Sequence, residues 1–440
     1  MSIPSFRDRD SIWLFVFFLS LYSLTMSGHL YTADGVLAYE TTRSLAQQGS
    51  LELPAPGFLT PANTEGKPVS PYAWGQPVLL VPFYWLGLLG GRLLANSAEM
   101  RETWCLVCVV YSSVVIGALL VVATRFLALA LGAERRAALF TALVAGCGSF
   151  LWVYSQDLFR NPLAALLLTT AVASLLRVRD QPKLVHLSGL ALLLLMQVRI
   201  DGILALPILF IWLIWTSRPR FSAVVVRWVL WCTGGLVLLG LNNWVRFGNP
   251  FQHNMPEAFF TESLLISIPG FLWSADKSIF LYSPPILLIL FAIPALWRRG
   301  KRETMLILAV SLVYLVWYGK FHHWFGGRCW GPRYTILFTP LLLATIGPWL
   351  SAPIRFRWIA AWTLLLIGVL IQLIGLLIEQ NVHIGFHHFD TIVVDLWAGC
   401  FDPWWAYTWD SYPVLTFTEI LALVALCSLS AVKLTRRSQA

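Results

Sequence analysis

What this chain has least of is charge. Only 12% of its 440 residues are Asp, Glu, Lys or Arg, about half the share in an average soluble domain, while 58% are hydrophobic. A water-soluble surface cannot be built from that supply, so a freely soluble protein is excluded. Acids are the scarcer sign, with 22 Asp and Glu against 31 Lys and Arg and a formal net charge of +9. In so apolar a chain the excess bases belong in the short loops that set membrane orientation, which excludes nucleic acid as a partner. Cysteines are few and lack metal-ligand spacing. Cys105, Cys108, Cys147, Cys232 and Cys427 fall in apolar blocks as small hydrophobic residues, and only Cys329 and Cys400 stand in loops where they could pair. Internal repeats and low-complexity tracts are absent as well. A cleavable leader is a further absence: Ile12 to Met26 follows Arg7 and Arg9 like a signal peptide. Its flank, Ser27-Gly28-His29-Leu30-Tyr31, has no small-residue cleavage site, so it reads as an uncleaved first span.

What is there in quantity is apolar blocks about as long as a bilayer is thick, roughly 17 to 25 residues of helix. They predict an all-α polytopic membrane protein with twelve spans, near 12–28, 104–124, 137–153, 161–177, 184–198, 203–217, 222–242, 279–296, 304–319, 335–350, 357–378 and 414–433. A thirteenth stretch, Pro77 to Leu94, decides the topology. If it does not cross, Arg7/Arg9, Arg135/Arg136, Arg177/Arg179/Lys183, Arg218/Arg220, Arg298/Arg299/Lys301/Arg302, Arg355/Arg357 and Lys433/Arg436/Arg437 all share one side, as the positive-inside rule requires. We therefore read it as a helix lying in the outer leaflet, with both termini cytoplasmic. The chain is then a single transmembrane domain over 1–440, with long outer segments at 29–103, 243–278 and 379–413. Most of the acids and seven of the eight histidines fall on the outer side. The aromatic run Phe401-Asp402-Pro403-Trp404-Trp405-Ala406-Tyr407-Thr408-Trp409 reads as an interfacial belt at the mouth of the last span, in preference to a sugar-stacking platform.

Four clusters on that side carry chemistry. In the first outer segment a helix is predicted from about Asp34 to Gln48, with Gly49 as its C-terminal stop. Asp34 is either a carboxylate satisfied by the helix N-terminus or a general base at the membrane surface. Glu40 and Arg43, three apart, either pair on the helix surface or serve substrate. The second cluster is Tyr154-Ser155-Gln156-Asp157-Leu158-Phe159-Arg160-Asn161-Pro162, a short turn that brings Asp157 and Arg160 to the bilayer edge, with Asn161 and Pro162 suited to start the next helix. The third is Gln197-Val198-Arg199-Ile200-Asp201-Gly202, where Arg199 and Asp201 either neutralise one another or face a polar cavity.

The fourth, Lys320 to Tyr334, packs Lys320, His322, His323, Arg328 and Arg333 into one translocated loop, against the positive-inside trend. Gly326, Gly327 and Gly331 permit close backbone approach, and arginine forks bind phosphate in bidentate fashion, so this loop is the expected phosphate site. Adjacent histidines in a flexible loop are weak evidence for a divalent metal, so no metal or other cofactor is assigned.

Taken in order, these pieces resemble the membrane-embedded glycosyltransferases of the GT-C class, near the protein O-mannosyltransferase and lipid A aminoarabinose transferase group. They are an Asp-bearing helix after span one, the stretch Tyr72-Ala73-Trp74-Gly75-Gln76-Pro77 and the acid-bearing turn at Asp157. Asn242-Asn243-Trp244-Val245-Arg246-Phe247-Gly248-Asn249-Pro250 and Gly326 to Tyr334 look like segments of the bacterial phospholipid-carrier-dependent branch. The resemblance implies an inverting transfer of a hexosyl or pentosyl group from a polyprenyl-phosphate-linked donor to a lipid, glycan or protein acceptor. The transfer would take place at the outer face of the bacterial cytoplasmic membrane. It casts Asp34 as general base, Asp157 as its support, and Arg333 on the leaving phosphate, with Arg328, Arg160, Arg199, Lys67 and Tyr334 also on substrate. The chain departs from the group in having Gly35 after Asp34 where many relatives have Glu, so a second carboxylate comes from Glu40 or is absent. It also reads as a chain without a separate soluble carboxy-terminal domain, which argues against a large appended recognition module. A transporter or flippase of a lipid-linked saccharide is the rival reading, but it would set charges within the spans along a pathway. A scaffold would leave the basic outer loop unexplained.

Overall fold

The computed structural model describes residues 8–56, 60–216, 222–252, 259–327, 329–377 and 413–439. Helix carries nearly all of the regular structure, and the only β pairing among the described residues is two isolated bridges, Glu52 with Val69 and Ala62 with Pro68. The amino-terminal half runs α1 (Arg9–Thr25), α2 (Ala33–Gln48), α3 (Gly75–Leu94), α4 (Ala98–Ala130), α5 (Arg135–Cys147), α6 (Arg160–Leu176), α7 (Leu184–Val198), α8 (Ala205–Thr216) and α9 (Ser222–Phe247). The remainder runs α10 (Leu264–Trp273), α11 (Ile279–Tyr282), α12 (Ile289–Arg299), α13 (Lys301–Gly319), α14 (Thr339–Ala344), α15 (Ile346–Leu350), α16 (Arg355–Leu377) and α17 (Pro413–Gln439). The outer segment expected at 379–413, with Cys400 and the aromatic run, lies outside the described residues except for Pro413.

A helical element falls on each of the twelve expected spans, but they are not twelve equal rods. Among the described residues, six helices are long and apolar enough to cross a bilayer: α3, α4, α9, α13, α16 and α17. Other expected spans are shorter or broken, and proline accounts for two of the breaks, because it removes a helix donor and crowds the preceding turn. Pro284 and Pro285 divide the expected 279–296 block into α11, a 3₁₀ turn over Pro284–Leu288 and α12. Pro340 and Pro348 lie in the short pair α14 and α15 that replaces the expected 335–350 rod.

The centre of the bundle is α4, about 50 Å long at 1.5 Å per residue, against which α1, α3, α5 and α6 pack. Large apolar side chains such as Leu230, Val237, Leu366 and Leu370 face outward from α9 and α16, as lipid requires. Near one end of α4, Arg125 joins Asp8 and Asp10 at the start of α1. About 12 Å along α4 from there, Gly117 meets the Ser155 side chain of the α5–α6 turn, the level of Asp157.

Length and composition alone admit α3 as a crossing helix, but its packing shows where it runs. Its first residue lies against the Gln197 backbone, and Gln76 donates 3.1 Å to the Leu158 carbonyl. Its last turns lie against Cys105 and Arg101, where an ideal Cβ on Gly87 would sit 2.5 Å from the Cys105 Cα. Arg101 is about 36 Å of helix from Arg125. From the Asp157 level α3 therefore runs away from the Arg125 end instead of returning to it, and it presents Trp85, Leu86, Leu89 and Leu93 outward.

Candidate active site

Asp34 is set by local chemistry at the start of α2. The helix begins at Ala33, one residue earlier than expected, because Thr32 is the N-cap and its hydroxyl accepts from Gly35 N at 3.1 Å. Gly49, at φ 66°, closes the helix in the left-handed conformation that only glycine adopts cheaply. The Thr32 hydroxyl donates in turn to Asp157 Oδ2 at 2.8 Å, so Asp157 braces the end of the helix that carries Asp34. Asp157 is fully buried and also accepts from Leu158 N at 2.7 Å. Burial pushes its carboxyl up to about 6. A Cβ on Gly35 would lie 2.8 Å from Asp157 Oδ1, so the space a larger side chain would need after Asp34 is already taken by this second carboxylate.

The Asp34 carboxylate accepts from the Tyr72 hydroxyl at 2.5 Å and lies 3.3 Å from Arg333 Nη1. Burial works against its charge. The guanidiniums of Arg333 and Arg160, the Tyr72 hydrogen bond and Arg199 outweigh burial and hold the group below its ordinary value. The Tyr72 hydroxyl is pushed up to about 12, chiefly by burial, so it remains a donor. Arg160 stacks over the Tyr72 ring with its central carbon 3.3 Å from the centroid. Arg160 Nε and Arg333 Nε are buried and have no hydrogen-bond partner among the described residues. Both guanidiniums thus keep donor capacity in reserve.

Arg199 pairs with Asp201 at 3.0 Å and donates to Asn161 Oδ1 at 2.6 Å, while Asn161 Nδ2 donates to the Arg333 carbonyl at 2.6 Å. Tyr318 donates to the same Asp201 carboxylate, and Tyr334 stacks on Tyr318 with ring centroids 4.8 Å apart. The Arg199–Asp201 pair is neutral and well satisfied, so it acts here as the wall that holds Asn161 and, through it, Arg333. A cavity of about 50 Å³ opens between Tyr72, Arg160, Arg199, Asp201, Asn243 and Arg246.

Arg246, like Tyr72, Asn161 and Asn243, is a residue that sequence reasoning left out of the site. It is buried at the end of α9, and instead of a carboxylate it meets the carbonyls of Ser70 (3.0 Å) and Tyr72 (2.6 Å) and the Asn243 side chain (3.1 Å). The signal for it was a base closing an apolar span directly before Phe247-Gly248-Asn249-Pro250.

Other expected members lie elsewhere. Glu40 and Arg43 pair on the helix surface at 3.7 Å, and Arg43 also meets Glu102 at 3.6 Å. Lys67 is exposed and held between Glu52 at 2.9 Å and Glu65 at 3.1 Å. These pairs explain the three residues as surface chemistry of the first loop. Arg328, expected on the phosphate, lies outside the described residues, as does Cys400, so Cys329 is described without that partner. His322 and His323 are exposed with their rings 4.9 Å apart, and no group of three metal-ligating side chains occurs among the described residues.

No sequence family and no curated protein matches the chain. Solved structures do. The fold is similar to that of ArnT, an aminoarabinose transferase, from Cupriavidus metallidurans bound to undecaprenyl phosphate. That match has a TM-score of 0.54 and 16% identity and covers 96% of this chain and 74% of ArnT. It is also similar to an oligosaccharyltransferase from Archaeoglobus fulgidus in the apo form, with a TM-score of 0.54 and 13% identity over 86% of this chain and 57% of that one. Both are GT-C glycosyltransferases, and the architecture here is that of the GT-C membrane fold.

Proposed function

We propose that this chain, which shares the GT-C membrane fold, is a glycosyltransferase. It moves a hexosyl or pentosyl group from a polyprenyl-phosphate-type carrier to a hydroxyl of a lipid, glycan or protein acceptor, with inversion, at the outer face of the membrane. The observation that carries this reading is the contact of Asp34 with Arg333, beside a second guanidinium, Arg160, that has no carboxylate partner among the described residues. Transfer needs both functions in one place. Asp34 takes the acceptor proton as the acceptor oxygen bonds to the anomeric carbon, and the carbon–oxygen bond to the phosphate breaks with its electron pair on the lipid phosphate. The charge developing there faces Arg160 and Arg333, whose spare N–H groups can accept it as hydrogen-bond donors. While Arg333 holds Asp34, the carboxylate is a weak base. A phosphate that competes for the same guanidinium restores its basicity as the donor arrives.

The test is release of undecaprenyl phosphate from undecaprenyl-phosphate-linked pentoses and hexoses by the chain in lipid nanodiscs. Asp34→Asn lowers release by about 10³-fold, within the range of a lost general base, and leaves undecaprenyl phosphate affinity within a few-fold. Full activity in that variant would remove Asp34 from the mechanism. Passage of the intact donor across proteoliposomes without cleavage would replace transfer by transport.

A further inference from the structure

Lys277 stands outside every cluster described so far. It occupies the turn between α10 and α11, fixed by its own backbone N–H donating 2.9 Å to the Ser274 hydroxyl. Its side chain is buried, yet no carboxylate lies within ion-pair distance of it among the described residues. The ammonium instead donates to three carbonyls of the glycine-rich loop: Gly327 and Cys329 at 3.0 Å and Gly331 at 3.4 Å, with Cys329 Sγ also at 3.4 Å. A lysine ammonium has three protons and no acceptor capacity, so it suits a ring of carbonyls that helix and sheet leave unused. Those carbonyls belong to alternate residues of a loop in which Gly326, Gly327 and Gly331 take φ 77°, 72° and 64°. A Cβ on Gly331 would lie 2.7 Å from the Tyr282 ring, so no larger residue fits there.

The loop is pinned on its other side too. Tyr154 donates 2.9 Å to the Trp330 carbonyl, Trp330 donates 3.3 Å to Gln372, and Gln372 donates 2.7 Å to the Tyr282 carbonyl. Two residues past Gly331 the chain reaches Arg333, whose guanidinium meets Asp34. We infer that Lys277 is a positioning residue for the transfer reaction, acting through the Cys329–Gly331 backbone to hold the Arg333 guanidinium against Asp34. The inference rests on the function proposed above. It adds a buried cation that touches neither donor nor acceptor and whose removal slows chemistry by releasing Arg333.

The test combines a double-mutant cycle with hydrogen exchange on the full chain in nanodiscs. Lys277→Met lowers single-turnover release of undecaprenyl phosphate by about 10²-fold, the cost of a misplaced group near the reacting atoms, and raises amide exchange at residues 329–334 but not around Arg125. In an Arg333→Met background the same substitution changes release and undecaprenyl phosphate affinity by less than about twofold, because coupled residues are non-additive. Lys277→Gln, whose amide still offers two N–H donors, gives a smaller loss with the same non-additivity. Unchanged release and exchange in folded Lys277→Met overturns the inference. So does a loss that multiplies with that of Arg333→Met, since it marks an effect independent of Arg333, or failure of both Lys277 variants to give monodisperse protein, since it marks a role in folding alone. A wild-type chain that neither binds undecaprenyl phosphate nor releases it sinks the proposed function instead, and the exchange comparison still decides whether Lys277 holds the loop.

Discussion

Two buried arginine–aspartate clusters lie toward opposite ends of this bundle and are built on opposite principles. At one end Arg125 reaches Asp8 at 2.9 Å and Asp10 at 3.2 Å, and Arg135 closes on Asp10 with a second bond at 2.8 Å. Two guanidiniums meet two carboxylates, and Ser11 takes a further Arg125 proton at 2.8 Å. That arrangement ties α1, α4 and α5 together. At the other end four arginines, Arg160, Arg199, Arg246 and Arg333, stand near Asp34, Asp157 and Asp201, and only two of the four have a carboxylate partner among the described residues. Burying a cation without a counter-charge costs several kcal/mol. A cluster that exists for stability balances its charges. One that keeps guanidiniums without a counter-ion around a cavity is set up for an anion that arrives from outside.

The sharpest way to break that contrast is to damage the balanced cluster. Arg125→Ala takes the buried guanidinium away from buried Asp10, and the expected loss is about 3 kcal/mol of stability, read as a lower melting temperature in nanodiscs, with the turnover of the folded protein unchanged. A fall in turnover at constant melting temperature would mean that the two ends are not separate in function. Next in size is Arg160→Ala. Removal of a cation that lacks a counter-ion leaves the melting temperature near that of wild type or above it, while undecaprenyl phosphate affinity drops by about 10²-fold for a lost charged contact. Equal affinity in that variant would remove Arg160 from the phosphate.

A smaller effect separates the two carboxylates of the site by pH. Asp34 is held down by its guanidiniums and stays ionised throughout the working range, whereas burial raises Asp157 to about 6. As pH falls through 6, Asp157 takes up a proton and loosens its hold on Thr32, so release slows by about tenfold per unit below that value for a single required ionisation. Asp157→Asn removes this limb, and an unchanged limb would assign it to another group. The smallest effect is expected at Lys67, whose pairs with Glu52 and Glu65 are exposed to water and screened by salt. Lys67→Ala changes donor affinity by less than about twofold, and a larger change would return Lys67 to the site.

These contrasts also mark how far the residues could be read in one dimension. The Thr32 cap and the Gly49 stop lie within a turn of the helix they bound, so α2 was legible to within a residue. Arg199 and Asp201 are two residues apart, and their pairing was one of the two alternatives that spacing allowed. The balanced cluster was invisible: Arg125 lies deep in an apolar stretch, and its partner Asp8 is 117 residues away. Lys277 was equally hidden, because its ammonium is satisfied chiefly by backbone carbonyls, which every residue carries and which leave no mark in a sequence.

The sequence by itself determined that this is a helical chain for a membrane and which of its connecting segments hold charge. Hydropathy, capping and charge bias act over one turn or one span and need no partner. Only the tertiary structure decided which charges meet. Arg333 reaches Asp34 across 299 residues, Asp157 fills the space beside Gly35, Glu40 pairs with Arg43, and Arg43 and Lys67 are drawn off to Glu102 and to Glu52 and Glu65. Long ionic side chains settle on whichever counter-charge or carbonyl the fold brings within about 3 Å, a distance that position along the chain does not encode.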